Sequence, residues 1–281
     1  MSNLIVRTAT GILYCATLIF CTVWSPVTSF LFFGLVAAGT ILEFSRLMNR
    51  HMGTAIVGYL NASAGFVLVA TVWLYEVGSG SWRHMMALYL LLLLYLLISE
   101  LYRKAANPLL DWALVFASQL YVALPFALIP VLSVNAGDGE GLTYQWIYPL
   151  ALFIFLWAND SGAYCCGSAL HGIFPARLFP RISPGKTWVG STGGGLITLG
   201  ASVGVWAWQP AGLTLLQWMG MALVVVFFGT WGDLVESMLK RQLGIKDSGH
   251  VLPGHGGMLD RFDSALLAIP ATVVYLILLG F

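Results

Sequence analysis

Charge is what this sequence has least of: 13 Lys and Arg and 12 Asp and Glu in 281 residues, or 9%. A soluble domain carries roughly 25% charged residues because its surface must face water, so an ordinary water-soluble enzyme and a disordered chain are both excluded. The two signs nearly cancel, with a net charge of +1, and no bulk field exists to draw in a polyanion. That excludes nucleic acid as a partner. Cysteine is scarce as well: of 4, Cys15 and Cys21 share one apolar run and Cys165 and Cys166 are adjacent. Without a CxxC pair, neither a disulfide framework nor a structural zinc site is expected. What the chain has in abundance is apolar surface, 59% hydrophobic residues at a mean hydropathy of +0.84. It reads as an integral membrane protein.

A helix needs about 20 apolar residues to cross roughly 30 Å of hydrocarbon. Nine such runs occur, near 4–24, 27–45, 54–76, 85–101, 111–134, 144–159, 190–208, 213–231 and 264–280. They are continuous rather than alternating, which excludes a β-barrel and predicts an all-α, polytopic fold. The first run follows Arg7 like a signal peptide but lacks an A-x-A-like cleavage site, so it is expected to remain as an anchor. With the N-terminus inside, 12 of the 13 basic residues fall in interior segments and Arg83 alone lies outside. Positive residues gather on the cytoplasmic side of short loops, which predicts a cytoplasmic N-terminus and a multi-pass protein of the plasma (inner) membrane. The exterior loop at Asp138 and Glu140 is acidic. Two interior segments, 160–189 and 232–263, are much longer than the other connections, and long loops are where chemistry usually resides. The expectation is a scaffold half, 1–143, and a catalytic half, 144–281, with its two loops.

The end of the eighth run, Gly229-Thr-Trp-Gly-Asp-Leu-Val-Glu-Ser-Met-Leu-Lys-Arg241, places Asp233, Glu236, Ser237 and Lys240 on one face if it is helical. This face reads either as a helix end with a Glu236–Lys240 pair or as a cation site at the membrane boundary. Next, Lys246-Asp-Ser-Gly-His-Val-Leu-Pro-Gly-His-Gly-Gly257 is too rich in glycine and proline for a helix, and such backbone can turn N–H groups toward an anion. Asp260 and Asp263 then open the ninth run around Arg261, either as capping and dipole compensation or as ligands. Carboxylates beside Lys and Arg at two helix ends are what a divalent metal with a polyphosphate requires. Asn159-Asp-Ser-Gly-Ala-Tyr164 brings a third carboxylate, Asp160, to the same face. Ser183-Pro-Gly-Lys-Thr187 offers Lys186 between two hydroxyls; alone it is also a common surface turn, and it is not a Walker A loop.

Together these segments resemble the phosphatidate cytidylyltransferases (CDP-diacylglycerol synthases). Their signature runs close to S-x-x-K-R-x4-K-D-x-G-x2-x-P-G-H-G-G-x-x-D-R-x-D. Ser237-Met-Leu-Lys-Arg-Gln-Leu-Gly-Ile-Lys-Asp-Ser-Gly-His-Val-Leu-Pro-Gly-His-Gly-Gly-Met-Leu-Asp-Arg-Phe-Asp263 matches it throughout. The likeness is close over 145–281, and the first half agrees in hydropathy alone. Val189 departs from the Glu or Gln of many members, which leaves open a paralogue acting on a different lipid phosphate. A transporter is the rival from another class, but the acidic residues gather at helix ends and interior loops rather than at a midplane site.

The resemblance implies transfer of a cytidylyl group from CTP to phosphatidate in phospholipid biosynthesis, giving CDP-diacylglycerol and pyrophosphate. It also implies Mg²⁺, alone or with a second cation, and a homodimer. On that reading Asp233 and Asp260 hold the metal, with Asp160 and Asp263 as further ligands, and Lys186, Lys240, Arg241 and Lys246 meet phosphates. Ser183, Thr187, Asp247, Gly254, His255, Gly256, Gly257 and Arg261 complete the substrate contacts. Because the attacking phosphate is already ionised, His255 is expected to donate or orient rather than act as a base.

Overall fold

The computed structural model describes residues 3–137, 141–209, 211–249 and 256–281. Helices dominate, and their ends follow local chemistry. Helix α1 covers Asn3–Trp24 and α2 covers Pro26–Met52. Ser25 and Thr28 form a reciprocal capping box before α2, Pro26 stands where no N–H is needed, and Gly53 ends the helix at φ +67°. Helices α3 (Gly58–Glu76) and α4 (Trp82–Tyr102) follow.

The fifth run is broken into α5 (Pro108–Ser118), a π-helical turn (Gln119–Ala123), α6 (Leu124–Ala127) and α7 (Ile129–Ser133). Pro125 and Pro130 cannot donate to the ladder, which accounts for the breaks. A hairpin of β1 (Val134–Gly137) and β2 (Gly141–Tyr144) comes next. Helix α8 (Ile147–Leu170) leads into a second antiparallel hairpin, β3 (Arg177–Phe179) and β4 (Ser183–Thr187). Helices α9 (Trp188–Trp208), α10 (Leu215–Gln242) and α11 (Leu259–Leu278) complete the fold.

The fold is mainly helical, as expected, with two short hairpins joining helices. One expectation is corrected. The segments 160–189 and 232–263 are not loops from their first residue: α8 continues to Leu170 and α10 to Gln242. Neither extension contains proline, and Pro175 is the first proline after Pro149. Asp160 and Asp233 therefore stand on rigid helices. Among the described residues, six helical stretches are long and apolar enough to cross a membrane: α2, α3, α4, the run Pro108–Ser133, α10 and α11. The apolar run of α8 is interrupted at Asn159 and Asp160, and that of α9 is diluted by glycine, serine and threonine. The acidic exterior loop at Asp138 and Glu140 lies outside the described residues.

The chain forms two compact units, Met1–Trp146 with Asp247–Phe262, and Ile147–Lys246 with Asp263–Phe281. The first is centred on buried Phe33, Ile41, Met48 and Phe126, with Phe262 edge-on to Phe126 and Tyr14. The second is centred on fully buried Trp218, which stacks on Tyr148 and meets Phe155 edge-on. Here α8 and α9 touch backbone to backbone. A Cβ at Gly194 would stand 2.6 Å from the Asn159 carbonyl oxygen, so only glycine permits this approach. Gly193 likewise faces Cys166 of the same chain, which accounts for the glycine run within one subunit.

Candidate active site

In the second unit, α8, the β3–β4 hairpin, the start of α9 and the side of α10 enclose a cleft of about 640 Å³. The sequence builds it from local pieces. Arg177 Nη1 donates to the Pro184 carbonyl and ties the hairpin together. Thr187 ends β4 and caps α9, its hydroxyl accepting the Gly190 N–H at 3.1 Å. Gly190 and Ser191, in the first turn of α9, line the cleft. A helix N-terminus carries unsatisfied N–H groups and partial positive charge, which suits an anion such as phosphate.

Opposite charges meet across this space. Lys186 Nζ lies 2.6 Å from Asp233 Oδ2, both side chains partly exposed. Asp233 Oδ1 accepts the Ser237 hydroxyl at 3.1 Å, one turn on along α10. Asp160 lines the same cleft from α8 and is exposed. Asp263, one turn into α11, feels the charges of Asp233, Asp160 and Lys240, and its Oδ1 accepts its neighbour's N–H from Ser264 at 2.6 Å. The face read from the sequence along α10 is therefore real, and so is its ion pair: Lys240 Nζ is 2.5 Å from Glu236, whose side chain is wholly buried. Arg241 is exposed and donates to the Ile245 carbonyl at 3.3 Å.

The oxygen donors here suit a hard cation. Among the described residues, however, no three carboxylate, histidine or cysteine side chains form a group able to hold a metal by themselves. Mg²⁺ is commonly held by one or two carboxylates together with substrate phosphates and waters, and Asp233 with Asp160 or Asp263 fits that pattern.

The remaining expected residues lie elsewhere. Ser183, on β4, is partly buried, and Lys246, Asp247 and Arg261 are exposed. Asp260 belongs to the first unit, where its Oδ2 accepts the N–H groups of Ser248 at 2.9 Å and Gly257 at 2.8 Å and contacts the Ser248 hydroxyl at 3.0 Å. Asp260 therefore shapes its own segment. Gly256 has φ +82°, and a Cβ there would stand 2.6 Å from that same Asp260 oxygen. Gly254 and His255 lie outside the described residues.

With this geometry in view, the model of the cytidylyltransferase family matches residues 5–279. The chain belongs to the cytidylyltransferase family. Among its relatives, the phosphatidate cytidylyltransferase of Staphylococcus haemolyticus is 31% identical over 282 residues, covering 97% of this chain and 98% of the relative. That of Staphylococcus aureus is 30% identical over 245 residues, covering 84% and 86%. That of Staphylococcus saprophyticus is 34% identical over 205 residues, covering 71% and 73%.

For this cytidylyltransferase-family chain, sequence reasoning had missed Arg177, counted there only as a basic residue for orientation. The usable signal was its place seven residues before the proline of Ser183-Pro-Gly-Lys-Thr187. It had also missed Thr230 and Ser191, hydroxyls that line the cleft without any motif of their own.

Proposed function

We infer that this protein is a membrane nucleotidyltransferase that moves the cytidylyl group of CTP onto phosphatidate, releasing pyrophosphate and forming CDP-diacylglycerol. The observation that carries this reading is the Lys186–Asp233 pair facing the capped N-terminus of α9 inside one cleft. A cation, a carboxylate and the positive end of a helix are together what a metal-bound nucleotide triphosphate needs. The relatives' names supply the nucleotide and the lipid.

In the transfer, a phosphatidate oxygen attacks the α-phosphorus of CTP, a new P–O bond forms, and the bond to pyrophosphate breaks. The nucleophile arrives ionised, so no base has to take a proton. The work left to the protein is positioning and charge neutralisation. Lys186 is placed to leave Asp233 for a phosphate oxygen, and Arg177 adds a second cation at the rim. The start of α9 adds the partial positive charge of a helix N-terminus, with the Ser191 and Thr230 hydroxyls beside it. Asp233, with Asp160 and Asp263, would hold Mg²⁺, which supplies charge neutralisation on the phosphates when bound. Lys240 serves by holding buried Glu236; on the strength of their motif, Lys246 and Arg261 are carried as further phosphate contacts and Asp260 as a further metal ligand.

We also include in this proposal nine spans, a cytoplasmic N-terminus, residence in the plasma membrane and a homodimer. What supports the span count is that, among the described residues, each of the nine apolar runs coincides with a helical stretch. What supports the orientation is the gathering of basic residues on one side.

The test uses purified protein in detergent with phosphatidate, Mg²⁺ and CTP labelled at the α-phosphorus, following label into the organic phase. Lipid-soluble label that requires both phosphatidate and metal is the expected result. Label that appears only with another lipid phosphate redirects the reading to that acceptor, and folded protein that neither transfers label nor binds CTP overturns it.

A further inference from the structure

The helix α2 carries a single acidic residue, Glu43, inside an otherwise apolar stretch. Its side chain is buried at 7% exposure, and among the described residues no lysine or arginine forms an ion pair with it. A buried charge without a countercharge is costly unless hydrogen bonds replace its water. Among the described residues, the donors that meet it come from one distant segment of the same unit. Glu43 Oε2 accepts the Met258 N–H at 2.8 Å, and Oε1 accepts the Leu259 N–H at 3.1 Å and the Ser248 hydroxyl at 2.6 Å. Leu259 is the first residue of α11. Glu43 thus does from α2 what a local N-cap side chain does, satisfying the orphan donors of a helix start.

The arrangement reaches further than a cap. Ser248 gives its hydroxyl proton to Glu43 Oε1 at 2.6 Å and its N–H to Asp260 Oδ2 at 2.9 Å, so one residue links the two carboxylates. Glycines crowd it: a Cβ at Gly249 would stand 2.8 Å from Glu43 Oε2, and one at Gly257 would strike Glu43 and Ser248 alike, so a side chain there would push the carboxylate from its place. Part of the Ser-Gly…Gly-Gly…Asp pattern in this segment is therefore the shape of a socket for the Glu43 carboxylate.

We propose that Glu43 is a positioning residue for the transfer, acting by fixing Ser248, Gly257 and, through Ser248, the carboxylate of Asp260. This rests on the reading that the motif segment takes part in cytidylyl transfer. Glu43 itself touches no substrate in it.

The test compares wild-type protein with Glu43→Gln, which keeps the shape but points an amide N–H at donors. Two readouts are taken in detergent: hydrogen exchange of peptides covering 256–262, and steady-state kinetics with phosphatidate, CTP and Mg²⁺. Loss of a charge-assisted acceptor should speed exchange at Met258 and Leu259 by about tenfold or more, while peptides of α8 and α9 stay unchanged. The kcat should fall about 10–100-fold, the usual cost of losing an orienting partner, with KM for phosphatidate unchanged. Unaltered exchange at Met258 and Leu259 overturns the proposal, and so does faster exchange with full kcat. If Glu43→Gln does not fold, Ser248→Ala removes the linking hydroxyl alone and must show the same kcat-only loss in smaller measure. Wild-type protein that transfers no label sinks the functional reading instead, and the exchange comparison still decides whether Glu43 holds the segment.

Discussion

Replacing Lys186 by methionine separates what the cleft does for folding from what it does for chemistry. The pair it forms with Asp233 is short, 2.6 Å, but its side chains are 26% and 31% exposed. Partly solvated pairs of this kind contribute ~0–1 kcal/mol to stability, because water screens the charges and long side chains lose rotamer freedom. For a chain of this size, such a loss lowers the melting temperature by no more than about 4 °C. The effect on transfer is expected to be far larger. A fixed donor facing charge that develops in the transition state is worth roughly 10²–10³ in kcat, or about 3–4 kcal/mol. Lys186→Met should therefore melt almost as the wild type does, followed by tryptophan fluorescence in detergent, while transferring label to lipid ~10²–10³-fold more slowly. Lys186→Arg should recover part of the rate, since it keeps the charge but presents a planar fork in place of a compact ammonium. Wild-type turnover in the methionine variant refutes the assignment of the cleft. A melting temperature lowered by more than about 10 °C, well beyond what an exposed pair supplies, refutes the claim that Lys186 is there for substrate.

Three further outcomes follow from the same geometry. Asp233→Asn should cut transfer by about 10²-fold or more and raise the Mg²⁺ concentration needed for half-maximal rate, read from label transfer over a MgCl₂ titration; an unchanged metal requirement counts against Asp233 as a ligand. Gly194→Ala forces a Cβ against the Asn159 carbonyl and should destabilise by about 1–3 kcal/mol, lowering the melting temperature even without substrate. Thr187→Ala removes the cap of α9 and should cost ~1 kcal/mol of stability; a larger fall in kcat than in stability would place the α9 terminus at the phosphates.

The parts of this fold that were readable in the sequence are those fixed by near neighbours. Apolar runs set the helices, and Asp233, Glu236, Ser237 and Lys240 fell on one face because helical spacing alone puts them there. Gly190, Gly193 and Gly194 of α9 make a close contact with α8, a partner that local spacing does not name. What could not be read is governed by bonds between distant residues or by the length of helices beyond the bilayer. Nothing in the local pattern of 160–170 says that α8 continues past Asp160, since glycine, serine and cysteine suit a loop as well. It continues because α9 packs against it at Gly190 and Gly194, and that contact depends on residues about thirty positions away.

Glu43 makes the same point more sharply. Its partners lie more than 200 residues on, at |i−j| of 205 to 216, and no spacing rule reaches that far. The sequence did carry one usable sign, a lone carboxylate in an apolar span, which is too costly to be kept without a partner. The converse inference was available too. A segment with glycine at 249, 256 and 257, in which Asp260 already accepts the N–H groups of Ser248 and Gly257, has more orphan N–H groups than that one carboxylate can accept. Asking where the acceptors for Met258 and Leu259 come from leads to an acidic residue outside the motif, and α2 has only one to offer.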